Sequence, residues 1–297
     1  MKLSIALITR NRQTQLIEAL QSCIDADIPA DTQFVIIDNA STDNTEDAIR
    51  DFFQCNKYEY IYEKMSENIG VGQGRNYAYS KTFGDYVYFM DDDAYIDTNC
   101  HHFFNRAIDI FDKNPRIATL TTQIYDLLWK SNRITTLGPL LEEDIRHCNM
   151  ICGGSHFLAR SFFKNTDPYF PNQYGYEEIL PSIRVVEAGY FNVFIDSLLV
   201  IHNPLVNKWD YSIKTNQSLL INGLAIPCVM KSKYYPVMTI PFVYFAYIIK
   251  SLKYLNKEQR SQAQLIIKQM AKSYNFGERI SLKAIFRMYK NFGISIF

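Results

Sequence analysis

This 297-residue chain is short of net charge, of paired cysteines and of long uncharged runs, and each shortage excludes something. Its 31 Lys and Arg residues are balanced by 31 Asp and Glu. A balanced chain is not built to hold bulk DNA by whole-protein electrostatics, and no nucleic-acid partner is expected. The six cysteines (Cys23, Cys55, Cys100, Cys148, Cys152 and Cys228) are scattered. Only Cys148 and Cys152 are neighbours, with no second pair to complete a zinc site, so they read as reduced thiols of a cytosolic chain. There is no low-complexity run and no internal repeat. The apolar stretch at residues 3–8 is brief and lacks a small-residue cleavage site, which makes it a first strand rather than a signal peptide. Residues 234–249 form an uncharged, aromatic run, shorter than the roughly 20 residues needed to span a bilayer. They read either as a buried helical hairpin or as a surface entering a membrane interface, flanked by Lys231, Lys233, Lys250 and Lys253.

What is present is a substantial core in prospect, since 47% of residues are apolar and 14% aromatic. The length allows one large domain, or one domain with a helical appendage. Residues 3–8, 34–37 and 86–90 are apolar runs of the kind that form buried strands, and residues 58–62 read as a further strand. Between them lie helical patterns: Leu16, Ala19, Leu20, Cys23 and Ile24 share one helix face, a second helix is expected over 45–53, and a third around 75–81. Alternating strands and helices imply an α/β fold with a mainly parallel sheet and right-handed crossovers. After Thr98 the texture changes. A helix is expected over 99–112, strand-like pieces over 117–136 and 150–158, a helix after Glu178, and short strands at 191–195 and 198–201. Beyond Pro204 the chain reads as helical, which places a domain boundary between residues 1–204 and 205–297.

The chemistry gathers at strand ends. Asp91-Asp92-Asp93 follows the apolar run 86–90, and open α/β sheets bind ligands at that edge. Adjacent carboxylates repel one another, so the triplet calls for a neutralising cation. Oxygen donors favour Mg²⁺ or Mn²⁺, which commonly bridge to phosphates. Asp38 ends the second strand and, with Thr9 and Arg10 at the end of the first, outlines one pocket. Arg10 or Arg12 is placed to meet a phosphate. The Gly70-Val71-Gly72-Gln73-Gly74 segment is like a dinucleotide fingerprint, but the third fingerprint glycine would fall on Arg75 and the motif follows the third strand. It reads instead as a flexible turn bringing Asn68 and Arg75 near a nucleotide.

Together, Thr9-Arg10-Asn11-Arg12, the run from Val35 through Asp38 to Asp43, Asn68-Ile69-Gly70 with Arg75-Asn76, and Asp91-Asp92-Asp93 resemble glycosyltransferase family 2 on a GT-A fold. Such a fold is a Rossmann-like, mixed but mainly parallel sheet with flanking helices, here followed by a C-terminal helical region. The resemblance covers roughly residues 2–202. It implies an inverting transferase that uses a nucleotide sugar, UDP- or dTDP-linked, and Mn²⁺ or Mg²⁺. It places Asp38 at the base, Asn68 in the nucleotide pocket, Asp91 toward the ribose with Asp92 supporting, and Asp93 on the metal, with Asp91 and His202 as further metal ligands. His202 reads equally as a structural histidine.

An inverting enzyme of this kind needs one general base. Glu177-Glu178 with trailing Arg184 is similar to the family's acidic motif. Glu178 stands where an aspartate is usual, and Leu180 where a second acid is common, so either glutamate remains a candidate base. Pro181 places the helix start near Leu180, leaving both glutamates in the preceding loop. Gly153 and Gly154 are similar to an acceptor-side glycine loop and are expected near the donor sugar. Trp129 and Trp209 read either as sugar-stacking rings or as core. The family's acceptors, a saccharide or a lipid-linked glycan of a bacterial surface polymer, imply a cytoplasmic enzyme working peripherally at the inner face of the membrane. Two rivals differ in class. A sugar nucleotidyltransferase would want a glycine-rich loop directly after the first strand, and Thr9-Arg10-Asn11-Arg12 has none. An inactive carbohydrate-binding scaffold of the same fold is the other.

Overall fold

The computed structural model describes residues 1–133, 135–173, 175–204 and 216–297, with side chains from residue 220 onward in the last segment. The chain divides into two compact units, Met1–Val185 with Gly189–Leu205, and Val186–Ala188 with Val206–Phe297.

The first unit begins with β1 (Leu3–Thr9), α1 (Gln13–Asp25), β2 (Gln33–Asp38), α2 (Thr45–Cys55), β3 (Glu59–Lys64), α3 (Val71–Lys81) and β4 (Tyr86–Met90). It continues with β5 (Ala94–Ile96), α4 (Phe103–Lys113), β6 (Ile117–Asp126), β7 (Ser131–Asn132), β8 (Leu137–Glu142), β9 (Ile145–Cys148), β10 (Ser155–Ala159), α5 (Arg160–Phe163), α6 (Ile179–Glu187) and β11 (Phe191–His202). One sheet runs in the order β3-β2-β1-β4-β10-β6-β11-β9-β8, with β5 and β7 paired to β11 and β6 off this path. β3, β2, β1 and β4 are mutually parallel, whereas β10 inserts antiparallel between β4 and β6. The parallel half results from right-handed crossovers through α1, α2 and α3, which bring the C-terminal ends of β1, β2 and β4 to one edge.

Both faces of this half are covered, which is why β1 and β2 are almost wholly buried and read as unbroken apolar runs. On one face α1 presents Leu16, Ala19, Leu20 and Cys23, and α4 presents Phe103 and Phe104. Tyr88 meets both phenylalanines edge-on, with ring centroids 5.5 and 5.3 Å apart, a favoured aromatic geometry. Val35, Ile37, Val87 and Phe89 line the opposite face with Ala78 and Tyr79 of α3.

Three local expectations are corrected. The glycine segment is not a flexible turn: α3 already begins at Val71 and includes Gly72 and Gly74. A Cβ on Gly72 would lie 2.0 Å from the Phe170 carbonyl oxygen, so glycine there permits close packing of the helix. The two short strands at 191–195 and 198–201 are one strand, β11, with a register irregularity between Ile195 and Leu199. Finally, α4 starts at Phe103, because residues 99–102 form a turn held by Asp97 Oδ1, which accepts from the Asn99 backbone N at 2.9 Å.

The second unit contains α7 (Asn216–Tyr234), a 3₁₀ turn (Val237–Thr239), α8 (Ile240–Tyr254), α9 (Lys257–Ser273) and α10 (Leu282–Phe292). Pro241 sits in the first turn of α8, where its missing N–H costs nothing. Asn256 and Gln259 close a reciprocal capping box at the start of α9, and Ser281 caps α10. Arg279 donates to the carbonyls of Ser232 and Tyr235 at 2.7 and 2.5 Å, and the Tyr235 hydroxyl donates to the Ile296 carbonyl at 3.0 Å. The buried-hairpin reading of residues 234–249 does not hold. Only Val243, Tyr247 and Ser251 of α8 are buried, a single i, i+4 stripe, and most of its other apolar side chains face solvent.

Candidate functional site

At the C-terminal edge of the parallel strands, Thr9 of β1 lies opposite Asp38 of β2 in register. Thr9 is buried and Arg10 is exposed. Asp38 is fully buried, and both its oxygens are engaged: Oδ1 accepts from the Ser41 backbone N and Oδ2 from the Tyr62 hydroxyl, each at 2.7 Å. It therefore shapes the loop after β2. The neighbouring Asn39 links that loop to the next, its Oδ1 accepting from Ile69 N at 3.0 Å. Asn68 is exposed, with its Oδ1 closing a turn on Gly70 N at 3.0 Å.

The aspartate triplet carries its own counter-charges. Arg12 Nη1 lies 2.6 Å from both Asp92 Oδ1 and Asp93 Oδ2, and all three side chains are nearly inaccessible. The repulsion read from the sequence is thus relieved in part by the protein itself, with the arginine facing inward to the carboxylates. Burial and Asp93 push the Asp92 carboxyl above its ordinary range against the pull of Arg12. Burial also opposes ionisation of Asp91, but Arg75 and Arg133 outweigh it and hold that carboxyl below the usual range.

Arg75 is the hub of the site. From α3, its Nη1 donates to Glu177 Oε1 at 2.7 Å and Glu178 Oε1 at 3.2 Å, while Nη2 donates to Asp91 Oδ1 at 3.0 Å and the Gly153 carbonyl at 2.8 Å. One planar guanidinium thus joins the strand-end aspartate to the glutamate pair across the cleft. The glutamates lie just ahead of α6, as Pro181 implied. Glu177 is only 2% exposed, and burial together with Glu178 drives its carboxyl well above the carboxylate range despite Arg75. Its Oε2 has no hydrogen-bond partner among the described residues. Gly153 makes room for the longer glutamate at 178: a Cβ there would stand 1.8 Å from Glu178 Oε1. Gly154 lies beside Asp91, its carbonyl accepting from Asp91 N at 3.1 Å.

His202 ends β11, opposite Asp126 at the end of β6. Its Nε2 is 3.2 Å from Asp93 Oδ1 and its Nδ1 is 2.8 Å from Asp126 Oδ2. Asp91, Asp93 and His202 each offer a ligand atom, and these atoms lie within 4.8 Å of one another. Two carboxylate oxygens and one imidazole nitrogen, with a carboxylate behind the imidazole, suit a divalent cation of the Mn²⁺ type. Asp91 and Asp93, but not Asp92, thus belong with His202 to a set that could hold such an ion, and Asp126 is hydrogen-bonded behind the histidine.

The family model described as glycosyl transferase family 2 matches residues 4–163, more than half of the chain. The chain belongs to glycosyl transferase family 2. Within the family it is similar to a poly(ribitol-phosphate) beta-glucosyltransferase of Bacillus spizizenii, 29% identical over 97 residues, and to the poly(ribitol-phosphate) beta-N-acetylglucosaminyltransferase TarS of Staphylococcus aureus, 32% identical over 98 residues. Each alignment covers 32% of this chain but only 15% and 17% of the relative's length. Among solved structures, S. aureus TarS 1–349 with UDP-GlcNAc matches at a TM-score of 0.66 and 16% identity, over 90% of this chain and 79% of that one. The mannosyltransferase PcManGT of Pyrobaculum calidifontis, with GDP-Man and Mn²⁺, matches at 0.62 and 15%, over 97% and 79%. The fold of this family 2 chain is accordingly the GT-A fold expected from the motifs.

Some residues of the family 2 site were invisible to motif reading. Asp126 and Arg133 flank the β6–β7 turn; Arg133 Nη1 is 3.7 Å from Asp91 Oδ2 and its Nη2 3.6 Å from Asp126 Oδ2. The available signal for Asp126 was the one that marked Asp38 and Asp91, a carboxylate closing an apolar strand. Trp129 is 48% exposed, which removes the core-packing reading; Trp209 lies outside the described residues.

Proposed function

We propose that this chain transfers a sugar from a nucleoside diphosphate donor to an acceptor hydroxyl, with inversion at the anomeric carbon. The observation that carries this reading is the Arg75 hub, which ties Asp91 on the donor-side strand end to Glu177 and Glu178. Relatives of the same family support the reaction class, and the donors named for the two solved structures, UDP-GlcNAc and GDP-Man, support a nucleotide sugar.

Asp91, Asp93 and His202 are the residues that would hold Mn²⁺ or Mg²⁺. Such an ion supplies positive charge to the departing diphosphate. Arg10 and Arg133 are the cations placed to meet phosphate oxygens, and Asp38 serves the base by holding the loop after β2 with Tyr62. Of the two glutamates, Glu178 is the base. Glu177 is held toward its neutral form and anchored to Arg75. Glu178 takes the acceptor proton while Gly153 leaves it space to approach. The acceptor is a saccharide or a lipid-linked glycan, in keeping with relatives that act on a cell-surface polymer.

The test is a screen of sugar nucleotides, UDP- and dTDP-linked first, read by release of the nucleoside diphosphate with Mn²⁺ present. Glu178→Gln is expected to keep donor binding by calorimetry and to lose transfer by about 10²–10⁴-fold. Asp93→Ala is expected to remove the gain in nucleoside diphosphate affinity that Mn²⁺ confers. If Mn²⁺ leaves that affinity unchanged in the unmodified chain, the proposal is wrong.

A further inference from the structure

The second unit exposes apolar side chains where a soluble helical bundle would place polar ones. On α8, Phe242, Phe245, Ile249 and Leu252 follow one another at helical spacing on the side away from the buried stripe, and Phe245 and Leu252 are 65% and 63% exposed. Val237 and Met238, in the turn before it, are equally open. α10 repeats the pattern: Ala284, Ile285 and Met288 are buried, whereas Phe286 and Tyr289 face solvent, Phe286 at 69%. The segment that follows α10 reaches α8 through Phe297. The Phe297 ring lies 5.5 Å from that of Phe242, and Lys250 Nζ donates to the Phe297 carbonyl at 3.4 Å. Scattered surface hydrophobics are ordinary, but a row of exposed aromatic and aliphatic side chains along one helix face marks an interaction site.

The charges on these segments choose the partner. Residues 234–257 contain the exposed Lys250, Lys253 and Lys257 and no acidic residue; residues 279–297 add the exposed Lys283 and Lys290, whereas Arg279 and Arg287 donate to backbone carbonyls and Glu187 accepts from Ser281 at the start of α10. Burial, and then the neighbouring Lys250, hold the Lys231 ammonium down at about 8. Between the two segments, α9 is polar along most of its length and carries Glu258 in its first turn. Among the described helices, α8 and α10 combine exposed apolar side chains with exposed lysines. Among the described residues, no helix is long and apolar enough to cross a membrane.

We infer that α8 and α10 form a peripheral docking surface for an anionic lipid bilayer. Phe242, Phe245, Ile249, Leu252 and Phe286 enter the interface, and the stems of Lys250, Lys253, Lys283 and Lys290 extend to the head groups. This surface lies within the second unit and stands whether or not the chain transfers sugar. Sedimentation of the full chain with sucrose-loaded vesicles tests it. Phosphatidylcholine vesicles containing phosphatidylglycerol should carry the chain down, phosphatidylcholine alone should do so roughly tenfold less, and added salt should weaken the first. Phe245→Ser with Leu252→Ser should lose at least that tenfold while keeping the helical circular dichroism and melting temperature of the parent, because both side chains are exposed. Lys250→Glu with Lys253→Glu should abolish the preference for phosphatidylglycerol. The inference is overturned if neither vesicle binds, or if both bind equally at low salt. It also fails if Phe245→Ser with Leu252→Ser leaves vesicle binding intact but dissolves a dimer in analytical ultracentrifugation, which would assign the face to a second copy of the chain.

Discussion

Replacing Arg75 with methionine tests the architecture of the site most directly. The guanidinium is buried and contacts Glu177, Glu178 and Asp91, with nitrogen–oxygen distances of 2.7, 3.2 and 3.0 Å. Methionine preserves much of the volume but leaves these carboxylates without their shared cation. Breaking a buried ion pair from one side costs about 3–5 kcal/mol, a large part of the roughly 5–15 kcal/mol that holds a domain folded. For a unit of this size, about 2–4 °C per kcal/mol gives a fall in melting temperature of roughly 6–20 °C, measured by calorimetry near pH 7.5. The penalty comes chiefly from Asp91, whose carboxyl Arg75 holds below the usual range, and it should shrink as that group takes up a proton. Glu177 already has a raised folded-state pKa, and a group raised in this way favours the folded state at low pH and loses that contribution as pH rises through the folded value. The gap between Arg75→Met and the parent should therefore narrow from pH 8 to pH 5.5. Adding Asp91→Asn, which removes the carboxylate that Arg75 holds below the usual range, should recover about 1–3 kcal/mol through the coupling of two residues in contact. Equal melting temperatures for parent and Arg75→Met at pH 7.5, or a gap that widens on acidification, would refute the reasoning.

Two further substitutions, with a third as a control, separate the parts of the site. Asp126→Asn weakens the partner behind His202 Nδ1, and Mn²⁺ affinity measured by calorimetry should fall about 10–100-fold; an unchanged affinity would remove His202 from the ligand set. Gly153→Ala inserts a methyl where Glu178 Oε1 now lies, so turnover should drop more than donor affinity, whereas Gly175→Ala, a position with open space around it but a positive φ, should alter stability alone.

The motifs were readable because each is local. A strand that ends in a carboxylate carries that signal in five or six consecutive residues, as residues 86–91 show, and Pro181 marks a helix start without help from elsewhere. Where periodicity was the guide, the parallel half emerged closely, since a run buried on both faces has no polar alternation to confuse it. Boundaries slipped where a neighbour decided them. The helix over 71–81 absorbed a glycine segment because the Phe170 carbonyl packs against it, and the aromatic run at 234–249 turned outward because α8 buries only one stripe.

The sequence by itself determined the alternation of strands and helices, the edge at which the carboxylates gather and the family to which they belong. Tertiary structure alone decided which charges meet. Arg75 and Glu177 stand 102 positions apart, His202 and Asp126 76 apart, and Arg12 and Asp92 80 apart. No periodicity encodes such pairs, because strand order and crossover length bring them together only once the sheet has closed around its core.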